Sequence, residues 1–400
     1  MPQILVRNRL KPTEKLRGAT VTITGTTPGA ATVSGATNAH GVVTLGTTSL
    51  ADGAYILTAA PVSTLAGAVG PTTASAPVPG DRIFRTLSVD LTIASGAITA
   101  VAVPAPNRPD GDASLGARGA VTVGLQPVWM RSPNHTARGS NQITMIIVHH
   151  TGGPVVGPAI NTFLSTGEGT SAHYVINTDG QIIKMVQDGR RAHHAGEARW
   201  AGASDINSIS IGIEIVNATG AYPAAQYTAL LDLIAALRTA HPTIVDWNII
   251  GHSDVATTHG KLGRKSSDPG LQFEWSRLEA RNLGMLMVLG PFPTTIYASF
   301  FATFAGDSLR RGDNDTKRIF GGTKRAGTFV GNPVRELQDD LTTIGYHLGR
   351  PDGEFGDKTR AAVQMFQEHF FAGGRGHKAP DGRVDLRTAE LIKSVTGAHP

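Results

Sequence analysis

The stretch ITMIIVHHT, Ile143 to Thr151, decides how the middle of this chain is read. It is a short, mostly apolar run, which predicts a strand, and it ends in two adjacent histidines. Strand side chains alternate, so His149 and His150 must point to opposite sides, and only one of them can serve a given site. WNIIGH, Trp247 to His252, repeats the design: a short apolar strand delivers a histidine at its end. ISIGIEIV, Ile209 to Val216, places Glu214 inside an otherwise apolar strand, where a charge is costly unless it has a partner or a task. Between these strands, AAQYTALLDLIAALRTAHP carries Tyr227, Leu230, Leu231, Ile234 and Leu237 at helical spacing, one face for packing on a sheet. The central domain is therefore expected to be mixed α/β.

Eight of the fourteen histidines fall between His149 and His259, and the chain has no cysteine. A metal site here must be built from imidazole and carboxylate, which favours a catalytic over a structural zinc. Such a site needs about three protein ligands, an open position and a nearby general base. VHHT, IGIEI, and GHSDVA running on to GRKSSDPG (Gly251 to Gly270) supply those groups between them. Taken singly, each has a plainer reading: a hydrogen-bonded strand-end histidine, a salt-bridged acid in a sheet, a solvated lysine in a polar loop. Their combination is far harder to obtain by accident.

Gln142 to about Trp275 resembles the zinc-dependent N-acetylmuramoyl-L-alanine amidase family that also includes the peptidoglycan recognition proteins. The resemblance runs through VHHT, TSAHYVINTDGQI, HHAG, SIGIEI and GHSDVA with RKSSDPG, in the family's order. It implies that His149, His252 and Asp268 are zinc ligands, that Glu214 is the catalytic glutamate, and that Lys265 stabilises the oxyanion. His173 and His194 are expected to shape the substrate cleft or orient partners rather than bind metal. Two departures are visible. Relatives with RKTDPG have one residue between lysine and aspartate, whereas Ser266 and Ser267 stand between Lys265 and Asp268. The tyrosine that some relatives carry before the histidine of the central strand is Ala172 here. The implied reaction is hydrolysis of the amide joining N-acetylmuramic acid to L-alanine in peptidoglycan, with zinc as the Lewis acid, Glu214 as proton carrier and Lys265 at the oxyanion. The alternatives are a recognition protein without catalysis, and an amidase of soluble muropeptides.

A length of 400 residues suggests two to four domains. Residues 1–103, rich in Thr, Val, Ala and Gly, contain the alternating runs ATVTITG, GVVTLG, AYILTAA and LSVDLTIASGAITAVAV with a turn at Asn38 to Gly41. They predict a β-sandwich similar to carboxypeptidase-regulatory-like or immunoglobulin-like modules. Residues 104–121 read as a linker, 122–290 as the catalytic domain, and 291–332, with its charged glycine-rich tract, as a second linker. Residues 333–396 contain a repeat, PDGEFGDKT at Pro351 to Thr359 and PDGRVDLRT at Pro380 to Thr388, each followed by a helical pattern. A preceding helix would bury Val334, Leu337, Leu341 and Ile344. This part closely resembles the three-helix peptidoglycan-binding domain of cell-wall hydrolases. It is expected to act as a tether, so that a chain ending near Gly290 keeps its chemistry and loses its grip on the wall.

The formal charge of +5 and pI near 9.5 suit an anionic wall. Peptidoglycan is the expected partner, with neither nucleic acid nor membrane insertion. MPQILVRNRLKPTEK has no apolar core of the signal-peptide kind. Synthesis in the cytoplasm and delivery to the wall by phage lysis, a secretion system or another non-Sec route is the expectation, with the N-terminal module as a docking element for secretion or phage-tail machinery.

Overall fold

In the computed structural model, which describes residues 3–9, 15–27, 31–47, 50–60, 82–85, 87–104, 111–117, 120–125, 127–256, 267–285, 296–304, 306–325, 331–371 and 379–398, the apolar run becomes the strand Met145–His150. It is the second strand of a seven-stranded sheet. The order is Ile249–Gly251, Met145–His150, Ser210–Ile215, Tyr174–Ile176, Ile182–Lys184, Pro127–Met130 and Arg82–Phe84. The first four strands run parallel, and Ile182–Lys184 returns antiparallel to Tyr174–Ile176. Parallel strands buried on both faces carry near-continuous aliphatic sequence, which is why Met145 to Val148 shows no polar alternation.

The period of two nevertheless sorts these side chains. Ile146, Val148, Ile211 and Ile213 pack on Tyr227, Leu230, Leu233, Ile234 and Leu237 of the helix Ala224–Ala240. Met145 and Ile147 face the other way, into a cluster with Trp200, Trp247 and the C-terminal helices. Alternation puts His149 on this second face and His150 on the first. Likewise Ser210, Gly212 and Glu214 take the second face, because Ile211, Ile213 and Ile215 take the first.

The C-terminal part consists of the helices Pro333–Ile344, Asp357–Phe371 and Leu386–Ala398. The repeat has a physical basis. Gln338, buried in the first helix, accepts from the amides of Asp352 and Gly353 and donates to Asp352 Oδ1. Gln367 in the second helix does the same for the later PDG turn, accepting from Gly382 and donating to Asp381. Gly353 and Gly382 have φ of 76° and 69°, a left-handed conformation that disfavours any side chain, so each PDG turn requires its glycine.

The segment 291–332 is not a linker throughout. Ile296–Thr303 is a helix, and Phe300, Phe301, Leu309 and Phe320 are buried in the same cluster as the C-terminal helices and Met145. The charges that suggested solvation are used internally: Asp315 accepts from the amides of Val334 and Arg335 at the start of the first helix, and Arg325 pairs with Asp307 at 2.8 Å. The C-terminal part is thus continuous with the catalytic domain through one apolar core, a closer attachment than a tether.

The N-terminal part is strand-rich. A five-stranded antiparallel sheet has the order Thr32–Ala36, Thr20–Gly25, Gly53–Ala60, Leu87–Ala94, Ala97–Ala102. A four-stranded sheet has the order Val42–Thr44, Gln3–Asn8, Val121–Leu125, Gly111–Leu115. The expected linker 104–121 therefore includes a strand. Gly111–Leu115 pairs along its whole length with Val121–Leu125, and backbone pairing at a sheet edge needs little of the apolar content that composition detects. Among the described residues no helix is long and apolar enough to cross a membrane.

Candidate metal centre

Three side chains meet on the second face of the central sheet. His149 comes from the end of its strand, and His252 opens the single helical turn His252–Val255 directly after the strand Ile249–Gly251. Asp268 follows in the returning loop. His252 Nδ1 lies 3.0 Å and His149 Nδ1 3.6 Å from Asp268 Oδ2, and one ligand atom from each residue falls within 4.8 Å of the others. All three are buried. Burial pushes the Asp268 carboxyl up, but His149 and His252, when protonated and so able to donate from Nδ1 as well, outweigh it and hold it well below the usual carboxylate range.

The remaining polar atoms of this trio are also engaged, as metal-binding imidazoles require. His252 Nε2 donates to the Ala195 carbonyl at 3.1 Å. His149 Nε2 lies 3.1 Å from His194 Nδ1, His194 Nε2 lies 3.2 Å from Ser210 Oγ, and Ser210 Oγ donates to the Ile206 carbonyl at 2.6 Å. One set of tautomers satisfies the chain: each imidazole donates from Nε2, and His149 Nδ1 is left as a bare acceptor pointing at the carboxylate. Burial and the neighbouring His149 pull the His194 pKa well down, which keeps it the neutral acceptor this arrangement needs. The HHAG loop is pinned by Asn207, whose Oδ1 accepts from the amides of His194 and Ala195. Gly212 makes room for the ring, since a Cβ there would stand 2.4 Å from His194 Cγ.

Two imidazole nitrogens and one carboxylate oxygen, buried, converging and oriented from behind, suit a divalent cation of the zinc type with a position left for a reactant. Glu214 belongs to the same face and is the register partner of His149, half-buried at the site's edge.

The sequence expectations fare unevenly. His149, His252 and Asp268 are brought together, with Glu214 beside them. Lys265 lies outside the described residues. His173, expected in the substrate cleft, is instead fully buried. Its Nδ1 accepts from the Gly212 amide, and its Nε2 lies between Arg138 and the Arg190 carbonyl. Burial and the Arg138 charge lower its pKa to about 3, so it is a neutral core residue bracing the Glu214 strand. His194, expected to shape the substrate cleft or orient partners, turns its Nδ1 to His149.

Sequence reasoning missed the clamps around the site. His150 Nε2 donates to the Ser267 carbonyl at 3.0 Å, and its own amide donates to Asp268 Oδ1 at 2.8 Å, so the second histidine of the pair holds the Asp268 carboxylate in place. Arg138 is buried and donates to the carbonyls of Asp188, Asn207, Ser208 and Arg190, stitching three loops together. Nothing local in the sequence marks either role, because the partners are distant in the chain.

Comparison with known proteins points the same way. The sequence profile of the N-acetylmuramoyl-L-alanine amidase family matches residues 139–270, and that of the putative peptidoglycan binding domain matches residues 330–392. The chain is 33% identical over 168 residues to the 1,6-anhydro-N-acetylmuramyl-L-alanine amidase AmpD of Enterobacter cloacae, covering 37% of this chain and 86% of that protein. It is 28% identical over 160 residues to the N-acetylmuramoyl-L-alanine amidase AmiD of Escherichia coli, 36% of this chain and 54% of that one. Among solved structures, a selenomethionine derivative of AmpD matches with a TM-score of 0.33 at 30% identity, covering 38% of this chain and 91% of its own. AmiD from E. coli matches with a TM-score of 0.45 at 22% identity, over 67% of this chain and 93% of its own. A relative matched along most of its length, with the buried His-His-Asp trio inside the matched stretch, makes this chain a member of the N-acetylmuramoyl-L-alanine amidase family, an amidase joined to a C-terminal peptidoglycan-binding domain.

Proposed function

We propose that this amidase is zinc-dependent and cuts the amide between the lactyl group of N-acetylmuramic acid and L-alanine in wall peptidoglycan. The convergence of His149 Nδ1, His252 Nδ1 and Asp268 Oδ2, with Glu214 in register beside them, carries the reading. Zinc held there would supply Lewis acidity, making a water acidic near neutral pH and polarising the scissile carbonyl. Glu214 takes the proton from the attacking water and passes it to the departing amine of L-alanine, which a carboxylate can do from one position. Lys265, three residues before Asp268 in the sequence, supplies a cation to the developing oxyanion. His194 and Ser210 keep His149 in the tautomer that presents Nδ1, and His150 holds the Ser267 carbonyl just before the carboxylate ligand and, through its amide, the carboxylate itself.

The C-terminal domain favours polymer over free muropeptide, since a protein acting only on soluble fragments gains nothing from a wall-binding module. The similarity to AmpD, whose name specifies a 1,6-anhydro substrate, supports a second reading in which the chain also accepts anhydro-ended fragments. We read the N-terminal strands as a β-sandwich, because residues of both sheets, among them Val6, Leu57, Val89 and Val123, belong to one apolar cluster. Mass spectrometry of the products from purified sacculi, alongside a soluble anhydromuropeptide, tests both. Free stem peptides beginning at L-alanine, with unsubstituted lactyl groups left on the glycan, are the expected products. Intact lactyl-alanine bonds after exhaustive digestion with zinc-loaded protein would end the proposal.

A further inference from the structure

The helical turn His252–Val255 is four residues long, and a turn of that length cannot hold itself: nucleation costs more than its hydrogen bonds return. Its position depends on tertiary partners, and Asp254 supplies two of them. This carboxylate is 1% exposed. Oδ2 accepts from the Gly251 amide at 2.9 Å, closing the turn on itself. Its other two hydrogen bonds come from the C-terminal part of the chain: His369 Nδ1 donates to Oδ2 at 2.8 Å, and the Tyr346 hydroxyl donates to Oδ1 at 2.9 Å.

These contacts sit in a fitted interface. The His369 ring stacks on Trp275, with centroids 4.0 Å apart and planes inclined by 19°, and Tyr346 meets Trp200 edge-on at 5.2 Å. Trp247 Nε1 donates to the Ile344 carbonyl, and the Ala201 amide donates to the Gly345 carbonyl. Gly345 admits no side chain, because a Cβ would stand 2.6 Å from the Trp200 ring. The same turn is coupled to the third ligand, since the Ser253 amide donates to the Asp268 carbonyl at 2.8 Å.

Resting on the metal-centre reading above, we propose that the C-terminal module is a positioning element for that centre. Through His369 and Tyr346 it holds Asp254, and through Asp254 the turn that carries His252 and braces Asp268. His369 and Tyr346 are positioning residues in this scheme and touch neither metal nor substrate.

The test uses the full chain with His369→Ala, His369→Asn and Tyr346→Phe. Zinc affinity is measured by competition with a fluorescent chelator, amide hydrogen exchange at 251–256 on zinc-free protein, and kcat and KM on a soluble muramyl peptide. His369→Ala should bind zinc about tenfold more weakly, the scale of lost outer-shell support. Its exchange at 251–256 should speed up, with kcat falling and KM nearly unchanged. His369→Asn places an amide N–H near the position of Nδ1 and should recover most of this. Tyr346→Phe keeps the ring and folds as the native chain does, with a smaller shift in the same direction. Native zinc affinity and exchange in His369→Ala, or equal losses in the Ala and Asn variants, would overturn the proposal, the latter assigning the effect to packing on Trp275. If the unmodified chain left the muramyl peptide intact, the assigned reaction would fall, while the zinc and exchange measurements would still judge the coupling.

Discussion

His149 and Glu214 are direct register partners on adjacent parallel strands, and alternation sends both side chains to the face that also carries Met145 and Ile147. The ligand and the proposed base are thus fixed relative to each other by backbone pairing. Glu214→Gln preserves size and removes the base, so turnover on a soluble muramyl peptide should fall by roughly 100-fold or more with zinc content intact. Turnover within a few-fold of native would mean that another group handles the proton.

Metal content is the most direct check on the trio. The purified chain should carry about one zinc, lose activity on chelation and regain it when zinc is restored. His252→Ala should lose both metal and activity. Full activity in demonstrably metal-free protein would refute the ligand assignment.

The line from His149 through His194 to Ser210 predicts a graded series. His194→Ala should weaken zinc binding by about 10- to 100-fold, the range for partners of metal-binding imidazoles. His194→Asn, whose carbonyl can accept from His149 Nε2, should fall between. Gly212→Ala should mimic the loss, since its methyl would intrude on the imidazole at 2.4 Å. Titration of apparent zinc affinity across these variants decides the matter, and a flat series would remove His194 from the site.

Asp188 offers a stability test away from the metal. It is buried, accepts from the Tyr174 hydroxyl at 2.7 Å, and pairs with Lys184 at 2.9 Å and His241 at 3.3 Å. Burial raises its pKa, but His241, Lys184 and Tyr174 together depress it far below the ordinary value. A depressed folded pKa gives stability that is present above the unfolded value, about 3.9, and is lost as pH falls through the folded one. Asp188→Asn should therefore cost about 3 kcal/mol at neutral pH, the scale of breaking a buried ion pair. In denaturant melts that deficit should shrink below about pH 4, and a deficit constant down to pH 2 would contradict it.

Much of the site was legible because strands impose a period of two and metals demand few residue types: His149-His150 closes an apolar run with two imidazoles, and Glu214 puts a charge inside another. The paired faces of the central sheet were less legible, since Met145 to Val148 is apolar on both sides and says nothing of what covers each. His173 misled for a related reason: a histidine beside other site motifs looks functional, yet its ring is spent on Gly212 and Arg190. The region after residue 290 was misread because its aspartates and arginines resemble solvated charge. Asp315 and Asp313 in fact take backbone amides at turns and a helix start, and Phe300, Phe301 and Phe320 of the same region reach the core. Contacts such as Tyr346 to Asp254 join positions 92 residues apart, and no local pattern encodes them.

The edge strand Arg82–Phe84 lies in the catalytic sheet, although the strands before and after it, Gly53–Ala60 and Leu87–Ala94, are hydrogen-bonded neighbours in the N-terminal sheet. Among the described strands, counting the passage from Leu125 to Pro127, the chain crosses between the two parts three times. A single proteolytic nick at any one crossing leaves two covalent connections, so the N-terminal part cannot be shed by one cut. That threading makes the front of the molecule a permanent passenger rather than a detachable one.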